Sequence, residues 1–241
     1  DLFRALTGYD RAMIYRFDPV DWQGAVVAES RADDCESYLG LHYPASDIPA
    51  QARALYQRSP TRVISDVDAP AAPLLAAPDA ADGAPLDLSL SALRAVAPVH
   101  LEYLRNMGVR ATLTGSLVAD GRLLGLVACH HRSPRLLPGK LRDLVGWLAQ
   151  DLATQIALVE ARTSARRRAR LKACRERVIA GMRAGAGLAD LILGPQLSDV
   201  LGAVAATGVA LVQQDSVVVG GVTPPPGRCA QIAAASSSSS S

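Results

Sequence analysis

Apolar and polar residues alternate in Ala12-Met-Ile-Tyr-Arg-Phe17 and in Gly24-Ala-Val-Val-Ala-Glu-Ser30. This period of two predicts a pair of half-buried strands joined across Asp18-Pro-Val-Asp21. Two stronger strands are predicted at 111–119 and 123–131, and Asp120-Gly121 between them carries the composition of a tight hairpin turn. Asp47-Ile-Pro49 can open a helix, because a proline in the first turn forfeits no intrahelical hydrogen bond. That helix would run through Leu55 and Tyr56. The stretch from Asp68 to Pro85, rich in Ala, Pro and Asp, reads as a loop. A further helix is expected from about Ser91 to Met107, stopped by Gly108. Strands interrupted by single helices and joined by hairpins give an α+β class: a central antiparallel sheet flanked by helices.

From Gly139 the period changes. Leu141, Leu144, Val145, Leu148, Leu152, Ile156 and Val159 recur at three- and four-residue spacing, and the chain stays helix-compatible to about Met182. A helix this long exceeds what one small sheet can cover, so part of it is expected to serve as a dimer seam or an interdomain rod. After Ala184-Gly-Ala-Gly187 come a short helical segment and, over 208–219, residues that read as paired strands. The tail from Ala233 to Ser241 is low-complexity. Two domains are therefore expected: 1–160, ending in the long helix, and 161–241, a helical connector with too few strands to close a core.

Of the 241 residues, 49% are apolar and 20% charged, a globular composition. A net charge of +2 gives no bulk electrostatic case for nucleic acid, and the run Arg166-Arg-Arg-Ala-Arg170 reads as a solvated helix face. Cys35, Cys129, Cys174 and Cys229 lack metal-ligand spacing and read as the reduced thiols of a cytoplasmic protein. No apolar run approaches the roughly 20 residues that span a bilayer. The start, Asp1-Leu-Phe-Arg4, has neither an initiating Met nor a signal pattern and reads as cut from something longer.

Candidate chemistry is sparse. Taken singly, His100 and His130 read as satisfied core or surface histidines, Asp47 as a helix cap, and Arg62 and Arg94 as surface cations. His130 and His131 are strand neighbours and point to opposite faces, so at most one can face a given pocket. Ser/His/Asp or Cys/His spacing, a Gly-rich phosphate loop and a metal set are all missing from the sequence, which leaves little case for an enzyme. Tyr15, Tyr43, Tyr56, Tyr103, His100, His130, Arg62, Arg94, Thr112 and Thr114 form an inventory suited to a long, flat, mostly apolar ligand bearing carboxylates.

Two motifs join that inventory. They are Tyr43-Pro-Ala-Ser-Asp-Ile-Pro-Ala-Gln-Ala-Arg53 and Pro98-Val-His-Leu-Glu-Tyr-Leu-Arg-Asn-Met-Gly108, read together with Arg94. On them the chain closely resembles the chromophore-binding GAF domain of bacteriophytochromes, over roughly Leu2 to Glu160, with a weaker extension into the start of the PHY domain. The resemblance implies a red/far-red photoreceptor module holding biliverdin, a linear tetrapyrrole. It places Asp47 of the rigid Pro44/Pro49 turn beside the inner pyrrole nitrogens, Ile48 on the ring plane, and His100 by the same pyrroles. His130 would bond the carbonyl of the outermost ring, within walls formed by Tyr15, Tyr43 and Met13. Tyr56, Arg62, Arg94, Thr112 and Thr114 would meet the propionates. Val99 stands where plant-type relatives carry their linking cysteine, which excludes the plant-type attachment and favours biliverdin. Bacteriophytochromes hold biliverdin through a cysteine upstream of the GAF domain. No covalent attachment is assigned to this chain, and Ala97 stands where many relatives place a serine. The partners implied are a homodimer through the long helix and a downstream output or response-regulator domain; any histidine kinase activity would lie beyond this stretch. The alternative is a GAF regulatory module for another small ligand, such as a cyclic nucleotide, with a compact polar pocket.

Overall fold

The computed structural model describes residues 1–75, 86–91, 94–213 and 216–238. Two compact units divide the chain, 1–157 and 158 onward, so the boundary falls inside one helix. The loop expected over 68–85 lies outside the described residues from 76 on.

The first unit opens with α1 (Leu2–Thr7), then β1 (Arg11–Phe17), β2 (Gly24–Arg31) and the two-residue β3 (His42–Tyr43). A single 3₁₀ turn at Ala45–Asp47 leads into α2 (Ala50–Arg58), followed by β4 (Thr61–Ile64), α3 (Pro98–Asn106), β5 (Ala111–Ala119) and β6 (Arg122–His131). Hydrogen bonding orders the six strands β3-β2-β1-β6-β5-β4, with every neighbouring pair antiparallel. The fold is therefore α+β around one antiparallel sheet. Asp120 (φ 51°) and Gly121 (φ 71°) both adopt the left-handed conformation that closes the β5–β6 hairpin.

Helix α4 (Gly139–Arg183) runs for 45 residues, and its first turns cover one face of the sheet. Val145, Ala149 and Ala153 are fully buried there against Val127, Cys129, Leu113 and Leu117, with Leu141, Leu152 and Ile156 at the edges. Two of the three innermost contacts are alanines, because a helix lying close on a sheet leaves room only for a methyl. Val159 of the expected stripe is 60% exposed.

Helix α3 begins seven residues later than expected from the sequence. Pro98 takes its first position and holds Ala97 extended (φ −60°, ψ 133°), which bars helix upstream. The four-residue β4 and six-residue α1 escaped the pattern reading because each is too short to show a period. In the second unit, α5 (Leu188–Leu193) and α6 (Leu197–Val204) precede the hairpin of β7 (Gly208–Gln213) and β8 (Ser216–Gly221). Helix α7 (Pro226–Ser238) then occupies much of the tail read as low-complexity.

Candidate functional site

The face of the sheet turned away from α4 is built in rows by strand register. Ile64, Thr112, His130, Arg11 and Arg31 stand side by side across β4-β5-β6-β1-β2, and Arg62, Thr114, Ala128, Met13 and Glu29 form the next row. Residues directly opposed across a ladder share a face, so this register alone brings His130, Met13 and both threonines together. Tyr15 and Leu126 add a third row. Alternation sends His131 to the other face, where its Nδ1 lies 2.9 Å from the Asp10 carboxylate and its ring tilts against Tyr9.

Over this face lie the 3₁₀ turn, α2 and α3, and between cover and sheet is a cavity with about 710 Å³ of empty space, its mouth included. Met13, Tyr15, Tyr43, Asp47, Ile48, Tyr56, His100, Tyr103, Thr112, Thr114 and His130 line it. Leu104, Met107, Leu126 and Ala128 line it as well and were missed in the sequence. Their signal was available: Leu126 and Ala128 precede His130 by steps of two along β6, and Leu104 and Met107 follow His100 and Tyr103 at helical spacing. Pro49 caps α2, and Arg62 and Arg94 lie outside the lining. Arg62 donates from Nη2 to the carbonyls of Arg94 (2.8 Å) and Ala95 (3.3 Å), and Arg94 donates from Nη1 to the Ser91 carbonyl (3.1 Å).

The turn that presents Asp47 is clamped from below. Arg53 donates from Nη1 to the carbonyls of Ile48 (2.6 Å) and Ala45 (3.3 Å), while its guanidinium lies 4.8 Å from the Trp22 ring centroid. Pro44 and Pro49 restrict the same segment on either side. The walls are aromatic, with Tyr15 5.9 Å from Tyr43 and 5.3 Å edge-on from Phe17.

Burial keeps the tyrosines and histidines of the lining uncharged. Burial, then the nearby Asp47 carboxylate, pushes the hydroxyls of Tyr15 and Tyr103 up to about 12. Burial, then the charge of Arg62, lowers His100. Burial, then the charges of Arg11 and His100, brings His130 down to about 4. Its Nδ1 is buried without a hydrogen-bond partner among the described residues. At the other end of the cavity burial raises Tyr56, partly offset by the Thr114 hydroxyl and then by the charges of Arg62 and Arg94. Arg62 falls to about 10 through burial and then the charge of Arg94.

His130 should make the stability of the chain pH-dependent. Folded, it holds a proton only near pH 4; unfolded, it takes one near 6.5. The unfolded chain binds more protons between those values, so the contribution is complete above about pH 6.5 and is lost as pH falls toward 4. Urea midpoints measured from pH 7 to pH 4.5 should fall, and His130→Gln should flatten that slope. An equal slope in the variant would place the titration elsewhere.

The sequence and the fold are similar to those of known proteins. The GAF domain description matches residues 1–159. A bacteriophytochrome of Xanthomonas campestris pv. campestris is 45% identical over 208 residues, 86% of this chain and 33% of that protein. The photosensory core module of the Stigmatella aurantiaca phytochrome superposes with a TM-score of 0.75 at 38% identity, over 95% of this chain and 45% of that one. The chromophore-binding domain of Stigmatella aurantiaca phytochrome P1 is 48% identical with a TM-score of 0.60, over 63% of this chain and 50% of that one. This chain spans about a third of the length of the Xanthomonas relative and half or less of the two solved chains.

Proposed function

Since this chain belongs to the GAF domain family and its relatives are phytochromes, we propose that it is a red/far-red light-sensing module that takes biliverdin into the cavity over the sheet. The observation that carries this reading is the buried, unpartnered Nδ1 of His130 in a cavity walled by aromatic and apolar side chains, with Arg62 and Arg94 near its other end. A linear tetrapyrrole is flat and mostly apolar, with carbonyls at its ends and two carboxylates midway, so its groups match what the residues offer. Bound, it supplies a conjugated system that absorbs red light and isomerises about one double bond.

The chain's own residues then have separable tasks. Uncharged His130 retains one ring N–H to donate to a terminal carbonyl. Tyr15 and Tyr103, kept protonated, remain hydroxyl donors around the same end. Asp47 offers its backbone carbonyl on a turn that Arg53 holds still. Arg62 and Arg94 would swing from backbone carbonyls to grip the carboxylates, joined by Thr112 and Thr114. Cys35, Cys129, Cys174 and Cys229 do not line the cavity, and burial pushes the Cys129 thiol up to about 12, far from a nucleophilic thiolate. These cysteines are therefore given no part in holding the ligand.

Helix α4 leaves the sheet for the second unit, which we assign to the start of a PHY domain, and would carry the change onward as a shift in a bistable element. Trp147 of α4 is 74% exposed and supports a homodimer through this helix. Among the described residues no helix is long and apolar enough to cross a membrane and no group of side chains could hold a metal. We further assign the chain to a cytoplasmic receptor that feeds an output or response-regulator domain, with histidine kinase activity elsewhere in the protein.

Mixing the chain with biliverdin should produce a red absorption band that shifts to far-red under red light. A spectrum that stays that of free biliverdin would overturn the reading.

A further inference from the structure

Next to the cavity, and sharing His130 and Met107 with it, a second cleft with about 570 Å³ of empty space, its mouth included, is lined by the start of β1, the loop after β2, the end of α3 and the end of β6. Arg11 and His130 both border it and are directly opposed across the β1–β6 ladder, so their side chains share a face. Arg11 is only 6% exposed. Its Nε forms an ion pair with Glu29 Oε1 at 3.0 Å, its guanidinium lies 3.6 Å from the Tyr38 ring centroid, and its Nη2 donates to the Glu36 carbonyl. Glu29 is equally enclosed. Burial pushes its carboxyl up, but hydrogen bonds from Ser37 and the Tyr38 amide, then the charges of Arg11 and Arg31, more than offset this and leave it ionised.

A buried arginine–carboxylate pair contributes little net stability, because removing two charges from water costs about what their attraction returns. Stability alone thus leaves the pair unexplained. Its location explains it. Facing His130 are Arg11 from β1, His100 and Tyr103 from α3, and uncharged Thr112 from β5, with Arg31 farther along its row on β2 and Glu29 in the adjacent row. The charges at the cleft mouth offset one another, Arg132 being paired with Asp34 (2.8 Å) and Asp10 (3.4 Å). Glu36 lies on the loop, and Asp47 across the cavity. Among the described residues, Arg11 is the cation directly opposed to His130 across the β1–β6 ladder.

We propose that Arg11, clamped by Glu29 and Tyr38 directly across the ladder from His130, is a positioning residue that works with burial to keep His130 a one-proton hydrogen-bonding partner for the terminal carbonyl of the ligand. The ligand's identity rests on the light-sensing reading above; the coupling of Arg11 to His130 does not.

The test begins on the chain without biliverdin. Long-range proton–nitrogen NMR of the imidazoles, with the His130 signal identified by its loss in His130→Gln, follows its protonation from pH 7 to pH 4.5. In Arg11→Gln the proton affinity of His130 should rise about tenfold, one fixed like charge having gone from its side. In Glu29→Gln it should fall, because Arg11 loses its counter-charge. Loosened packing would move both variants the same way, so opposite signs are the signature of charge. Arg11→Lys should restore the natural value. Should Arg11→Gln fail to fold, the double variant Arg11→Met/Glu29→Met removes both charges at similar volume and should also raise the affinity. Equal His130 titration in natural chain and variants would overturn the proposal. With biliverdin added, Arg11→Gln should gain a pH-dependent absorbance transition that Arg11→Gln/His130→Gln lacks. If no biliverdin binds while the NMR shifts appear, the light-sensing reading fails and the coupling stands.

Discussion

Gly125→Ala is expected to unfold the unit of residues 1–157 at about 1 M less urea than the natural chain, whereas Gly24→Ala leaves the fold largely intact and changes the pocket. Both glycines lie in strands beside β1, and the difference is what a methyl would meet. At Gly125 a Cβ would come 2.2 Å from the Tyr15 carbonyl oxygen and 3.3 Å from the Arg16 Cα. Those are backbone atoms of a strand held on both sides, by β2 and by β6. Relief requires prying β6 from β1 at the centre of the sheet, at a cost of about 3 kcal/mol. At Gly24 the same atom would fall 1.9–2.1 Å from ring atoms of Tyr15. A side chain can rotate where a ladder cannot shift, so the loss is about 1 kcal/mol. The rotated ring leaves the wall it shares with Tyr43, and the biliverdin spectrum should change in position or in the extent of its light-driven shift. A Gly125→Ala chain as stable as the natural one would contradict this packing. An unaltered spectrum in Gly24→Ala would remove Tyr15 from the wall.

The same distinction between backbone register and side-chain placement separates what could be read in the sequence from what could not. Strands β5 and β6 announced themselves as two strong strand-forming runs around the Asp120-Gly121 turn, and β1 and β2 through alternation. That period also assigned His130 and His131 to opposite faces before any coordinates. β4 stayed hidden: in Thr61-Arg62-Val63-Ile64 a polar arginine interrupts an already short run, and Arg62 faces the cavity side for reasons of charge. On α4 the apolar stripe drew attention to its leucines, yet the closest contacts are Ala149 and Ala153, whose small size leaves little mark in a hydrophobic pattern. The motif around Asp47 marked the turn, but nothing local to it reveals that Arg53 holds that turn by its carbonyls. Nor does spacing show that Arg62, far from Arg94 in sequence, donates to the Arg94 carbonyl, since that contact depends on how the intervening segment returns to the sheet edge.

That arginine pair carries the largest expected effect on ligand binding. Arg62 stands opposite Thr114 on the cavity side of the sheet, and burial followed by the charge of Arg94 brings it down to about 10. Two guanidiniums forced into proximity are destabilised by each other, and an anion with two carboxylates relieves that repulsion while gaining charge-assisted hydrogen bonds. Each such bond contributes about 1.5–3 kcal/mol. The double variant Arg62→Gln/Arg94→Gln should therefore bind biliverdin about a hundredfold or more weakly, with its urea midpoint near that of the natural chain. Biliverdin dimethyl ester, which has no charged propionates, should bind natural chain and variant alike, at about the variant's affinity for the free acid. Raising the salt concentration should weaken binding of the acid to the natural chain and leave the variant nearly unaffected. A pocket meant for a compact ligand such as a cyclic nucleotide has no use for two arginines near one end of it. Undiminished biliverdin binding in the double variant would thus remove the carboxylate grip from the account and leave His130 and the aromatic walls as the whole of the recognition.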